Sequence, residues 1–139
     1  MVKKILIGIS IIVVAVIITL ILLTSLSKNS KIIGTLQDSF WDRITTIEVK
    51  LKNNHANSVK ITYKYETKEK ALTDYTKYYE NLKQEYGYNV RQRDNIIVIS
   101  IKGENMHQYG GNEKKHGVKE GMTEEEVRKT LEELEYKIK

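Results

Sequence analysis

Cysteine and proline are both absent from the 139 residues. Without a thiol the chain has no disulfide, no thiolate metal site, no cysteine nucleophile and no lipid-modified N-terminal cysteine. The candidate nitrogen ligands are then three histidines, His55, His107 and His116. None shows the close helical spacing that presents two imidazoles to one metal, so neither a metal nor another cofactor is expected. The stretch Tyr109-Gly110-Gly111-Asn112 lacks the Lys-Ser/Thr pair of a phosphate-binding loop, which argues against nucleotide binding. No nucleophile, base and orienting group assemble into a reactive site, and the protein is not expected to be an enzyme.

What is abundant is unevenly placed. From Ile5 to Leu26 no side chain ionises. As a helix this run measures about 33 Å, enough for a hydrocarbon core of about 30 Å. Residues 1–26 are therefore expected to be a transmembrane anchor, a signal-anchor placing the protein in the cytoplasmic membrane as a single-pass protein. Lys3 and Lys4 precede the run and Lys28 and Lys31 follow it. The short lysine-bearing tail resists translocation, so the N-terminus is expected inside and the C-terminal domain outside. The alternative is a cleaved signal peptide over residues 1–27 and a secreted product, since Ser25 and Ser27 flank Leu26 at cleavage-site spacing. The abundance of Lys, Ile, Asn and Tyr and the lack of proline match the coding bias of a low-GC bacterium, an association and not a physical inference.

Beyond the run the chain is polar. Residues 27–41 show no sustained period and read as a stalk, with Phe40 and Trp41 as its first packed contact. Residues 42–139 are expected to form one extracytoplasmic α+β domain, near the common domain size of about 100 residues. Ile47, Val49 and Leu51 alternate with Glu48, Lys50 and Lys52, the period of a strand with one buried face. After the turn chemistry of Asn53 to Asn57, Val59, Ile61, Tyr63 and Tyr65 alternate with Lys60, Thr62, Lys64 and Glu66, predicting an antiparallel hairpin. Thr67 is a natural cap for a helix carrying Leu72, Tyr75, Tyr79, Leu82 and Tyr86 at spacings of three and four, closed by Gly87. A second hairpin follows, turning at Arg93-Asp94-Asn95, and Ile96 to Ile101 is apolar enough to be interior to the sheet or covered on both sides. Residues 103–121 read as a mobile loop. Thr123 and Glu126 form a capping box ahead of a stripe of Val127, Leu131, Leu134 and Ile138. The order β-β-α-β-β-α implies a small antiparallel sheet with helices on one face.

The candidate site is the outward face of the first hairpin, where Lys50, Lys52, Lys60 and Lys64 form a basic patch suited to anionic lipid or wall polymer. The net charge of +5 supports association with anions without naming one. Glu124, Glu125 and Glu126 lie in the first turn of a helix, where they stabilise its dipole.

Val59-Lys60-Ile61-Thr62-Tyr63-Lys64-Tyr65, the Tyr86-Gly87-Tyr88 helix end, the Ile96 to Ile101 strand and the ending Leu131-Glu132-Glu133-Leu134-Glu135-Tyr136-Lys137 together resemble the small YehR-like lipoproteins of bacteria. The chain departs from that family in lacking the lipid-attachment cysteine. Gly121-Met122-Thr123-Glu124-Glu125-Glu126-Val127 resembles a helix-opening phrase of other small envelope lipoproteins. Neither resemblance implies a known activity, and both are compatible with a non-catalytic envelope protein. The leading expectation is a domain that binds another envelope protein through the basic sheet face or the 103–121 loop, with no nucleic acid as partner. The alternative is a ligand module for anionic wall polymer, lipid head group or metal.

Overall fold

The computed structural model describes residues 10–20, 28–107 and 117–139. Residues 10–20 are helical and exposed (α1). The strands are β1 (Asn29–Asp38), β2 (Arg43–Lys52), β3 (His55–Tyr65), β4 (Asn89–Arg93), β5 (Ile96–Lys102) and β6 (Lys137–Ile138). They form one six-stranded sheet in the order β4-β5-β3-β2-β1-β6, with every neighbouring pair antiparallel. Helices α2 (Lys68–Asp74), α3 (Leu82–Tyr86) and α4 (Glu124–Glu133) join the strands.

Strict alternation sets the faces. Ile47, Val49 and Leu51 of β2, Val59, Ile61 and Tyr63 of β3, and Ile97, Ile99 and Ile101 of β5 are buried in register with one another. Ala71, Tyr79, Val127 and Leu131 from the helical layer complete the same core. Thr67 caps α2 by accepting a hydrogen bond from the Lys70 amide at 3.3 Å, and Gly87 ends α3 in the left-handed region at φ 71°. Between them, Tyr75–Tyr79 forms a π-turn closed by the Glu80 amide on the Tyr75 carbonyl. Leu72, expected on the inward stripe, is about half exposed, and Ala71 takes the buried position. The reciprocal capping box of Thr123 and Glu126 opens α4 as expected.

The structure corrects the expected architecture in four places. First, no helix among the described residues is long and apolar enough to cross a membrane. This overturns the transmembrane anchor expected over residues 1–26, and with it the signal-anchor, the single-pass membrane partnership and the cytoplasmic-membrane placement with an external domain. The flanking residues 1–9 and 21–27 lie outside the described residues.

Second, the segment read as a stalk, residues 27–41, contributes β1, paired with β2 along its whole length from Asn29↔Lys52 to Asp38↔Arg43. Third, the β-β-α-β-β-α order gains a strand at each end and its first helix is divided into α2 and α3, making β-β-β-α-α-β-β-α-β after α1. Ile138, assigned to a helical stripe, lies in β6 opposite Gly34. A Cβ on Gly34 would stand 3.1 Å from Tyr136 Cβ and 3.2 Å from Ile47 Cγ2, so the missing side chain is what lets the C-terminus dock on β1. Fourth, the loop expected over 103–121 is partly structured. Gly103–His107 is a 3₁₀ turn, and Met106 and Val118 are buried in the core. The Gly121 amide donates to the Ala56 carbonyl at 2.9 Å.

Candidate functional site

The helical layer covers one face of the sheet, and the other face carries the charge. Because side chains alternate along each strand, the residues opposite in phase to the core point outward. These include Lys31 of β1, Lys50 and Lys52 of β2, Lys60 and Lys64 of β3, Arg91 and Arg93 of β4, Lys102 of β5 and Lys137 of β6. Among these outward strand positions the one carboxylate is Glu48. It sits between Lys31 at 3.9 Å and Lys60 at 3.8 Å, and its side chain is 16% exposed. Such ion pairs are weak in water, so Glu48 orients the two lysines more than it neutralises the face.

All four lysines proposed from the sequence, Lys50, Lys52, Lys60 and Lys64, are exposed on this face. Strand order adds the remaining cations. Lys50 faces Lys31 across the β1–β2 pair, and Lys60 faces Ser100 across the β3–β5 pair. Two shallow grooves result. One, of about 580 Å³, includes Lys60, Arg91 and Lys102 with Asn89, Ser100 and Asn105. The other, of about 660 Å³, includes Lys31, Lys50 and Lys52 with Asn29 and Asn57. Among the described residues no acidic side chain and no imidazole lines either groove.

Apolar residues on the outward face do not cluster. Ile44 and Ile96 each pair with Lys64, Val98 pairs with Arg91 and Thr62, and Ile33 pairs with Glu48. Strand β5 lies between β4 and β3, so of the two alternatives expected for it the interior position holds, while Ile96 and Val98 are only half-buried on its outward side. The strand aromatics Tyr63 and Tyr65 point into the core, so the outward strand face carries no ring.

The histidines do not converge. His55 begins β3, with Nδ1 2.7 Å from the Asn53 carbonyl oxygen, and its side chain is exposed. His116, the His107 side chain and Tyr109-Gly110-Gly111-Asn112 lie outside the described residues. No group of three or more His, Asp or Glu among the described residues is arranged to hold a metal ion.

A cluster not anticipated from the sequence lies at the far end of the core. Arg43, on the inward face of β2, is 2% exposed. One guanidinium nitrogen, Nη1, donates to the hydroxyls of Tyr65 at 2.7 Å and Tyr79 at 2.8 Å. The Arg43 Cζ lies 3.6 Å from the Tyr63 ring centroid and 4.9 Å from that of Trp41. Asp38 is the nearest carboxylate, 3.6 Å from Nε. Burial opposes the charge, but the surrounding Tyr63, Tyr79 and Tyr65 outweigh it and hold the Arg43 pKa above its ordinary value. Burial also raises the Tyr65 phenol, with Arg43 offsetting part of the rise. The cluster is a cation held by rings and hydroxyls, fixing the start of β2 against β3 and the π-turn. Trp41 stacks edge-on with Tyr78 at 5.3 Å, whereas Phe40, expected as a packed contact, is 87% exposed.

No protein-family profile, curated protein or solved structure matches this chain.

Proposed function

We propose that the domain is a non-catalytic binding module whose outward sheet face holds a flexible, base-free phosphodiester polymer. The observation that carries this reading is the charge of that face: cations on all six strands and Glu48 as the one outward carboxylate. Lysine is a compact charge on a flexible stem, suited to many sequential contacts with a repeating anion rather than to one rigid fork. The grooves are shallow, and among the described residues they have no carboxylate or imidazole to act on a ligand, which supports holding over transformation.

Two other macromolecules fit less well. Single-stranded nucleic acid binders stack bases on aromatic side chains, and the outward strand face has none. A protein interface gathers its energy at a desolvated apolar centre, whereas every outward apolar residue here sits beside a polar or charged partner.

Two charge-matched variants of the full-length chain test the reading. Lys50→Gln, Lys52→Gln, Lys60→Gln and Lys64→Gln are combined in one, and Lys68→Gln, Lys77→Gln, Lys83→Gln and Lys129→Gln in the other. Binding of linear polyphosphate, a phosphoanhydride polyanion standing in for the phosphodiester polymer, is followed by calorimetry and is expected to be lost in the first and kept in the second. Equal losses would show that net charge alone attracts the polymer. Tighter binding of an oligonucleotide or of polyglutamate than of polyphosphate at matched charge would replace the polymer with a nucleic acid or an acidic protein.

A further inference from the structure

Resting on that reading, we infer that the groove formed by β3, β5 and β4 is a phosphate seat centred on Ser100, which fixes where along the face the polymer is gripped. Ser100 points outward from β5 and lies directly across from Lys60 on one side and Asn89 on the other. Neighbouring strands are about 4.8 Å apart, and same-face residues along a strand are about 7 Å apart. Lys102 is the next outward residue on β5, and Arg91 lies diagonally across, opposite Val98. Cations from three adjacent strands thus surround one hydroxyl at distances their side chains can span.

The rim adds neutral donors. Asn105, in the 3₁₀ turn, lies against Gly87, where a Cβ would come 3.1 Å from the Asn105 amide nitrogen. The bare, left-handed Gly87 both ends α3 and leaves room for that amide at the groove. Among the described residues no hydrogen bond or ion pair engages the side chains of Arg91, Lys102, Asn89, Ser100 or Asn105. Lys60 alone shares its charge, with Glu48. These free donors match a phosphate group, whose oxygens accept several charge-assisted bonds at once, better than a flat carboxylate. The second groove offers Lys31, Lys50 and Lys52 but no arginine, and Glu48 already engages Lys31.

The test titrates the full-length chain with inorganic tripolyphosphate and, separately, with the tricarboxylate tricarballylate. Arg91→Gln with Lys102→Gln is compared with Lys31→Gln with Lys52→Gln, which removes the same charge from the other groove. The first pair is expected to weaken tripolyphosphate binding by about tenfold or more, and the second by less than about threefold. Ser100→Ala is expected to weaken it by a few-fold while leaving the amide spectrum dispersed. Equal losses in the two pairs would overturn the seat and leave the polymer-binding reading standing. Tricarballylate binding as tightly as tripolyphosphate would overturn the phosphate assignment. No binding of any anion, linear polyphosphate included, would overturn both readings.

Discussion

Replacing Arg43 tests whether the buried cation holds the first hairpin to the helical layer. Arg43→Ala removes two hydrogen bonds to tyrosine hydroxyls, at 2.7 and 2.8 Å, and the stacking over Tyr63 at 3.6 Å. Bonds from a charged donor contribute about 1.5–3 kcal/mol each, and a desolvated cation–π contact contributes up to about 2 kcal/mol. Release of a buried charge offsets part of that sum. The net loss expected is about 3–5 kcal/mol, a large share of the stability of a domain of this size. Arg43→Lys keeps the charge but cannot supply the planar fork, and should lose about 2 kcal/mol. Arg43→Met fills the volume without charge and should fall between wild type and alanine. Urea unfolding of the full-length variants, with the midpoint and slope fitted separately, measures all three. A loss below about 1 kcal/mol for Arg43→Ala would refute the view that the cage is structural.

Three further outcomes follow from named contacts. Thr45 is 3% exposed and its hydroxyl has no hydrogen-bond partner among the described residues, so Thr45→Val should raise stability by about 1 kcal/mol in the same assay. Gly34→Ala forces Tyr136 aside and should cost about 1–2 kcal/mol. Hydrogen exchange should then show faster loss at the Lys139 amide, which donates to the Ile33 carbonyl at 3.0 Å. The Tyr65 phenol, raised by burial, keeps its proton longer in the folded than in the unfolded chain. Its contribution is complete below about pH 10 and is lost as the pH rises towards the higher folded value, so alkaline melts should decline only above about pH 10.

Much of the fold was legible because alternation is a strong signal. The hairpin of β2 and β3 follows from Ile47, Val49 and Leu51 set against Lys50 and Lys52. Strand β1 was hidden because one of its inward positions is Gly34, which leaves no apolar beat, while Ile33 is apolar on the outward side. Strand β6 has two residues and exists only through pairing with β1. The apolar run near the N-terminus was read from its length and its lack of ionisable side chains, and no helix among the described residues is long and apolar enough to cross a membrane.

The site was half legible for the same reason. Four lysines on one hairpin can be counted from the sequence, but Lys31, Arg91 and Lys102 join them only through strand order, which is tertiary. For Arg43 a signal did exist, since it lies in phase with Ile47 and Val49. A charge in that phase reads as the frayed start of a strand, because burial of an arginine depends on the tyrosines that meet it from β3 and the π-turn.

The central claim, that the outward sheet face is the binding surface, is tested most directly by mapping amide chemical shifts of the full-length chain during a titration with linear polyphosphate. The account predicts shifts concentrated on the outward residues of β2, β3, β4 and β5, largest around Ser100, and diminishing as salt is raised because screening weakens exposed charges. Shifts confined to α2, α3 and α4, or spread evenly over every lysine in the chain, would contradict it.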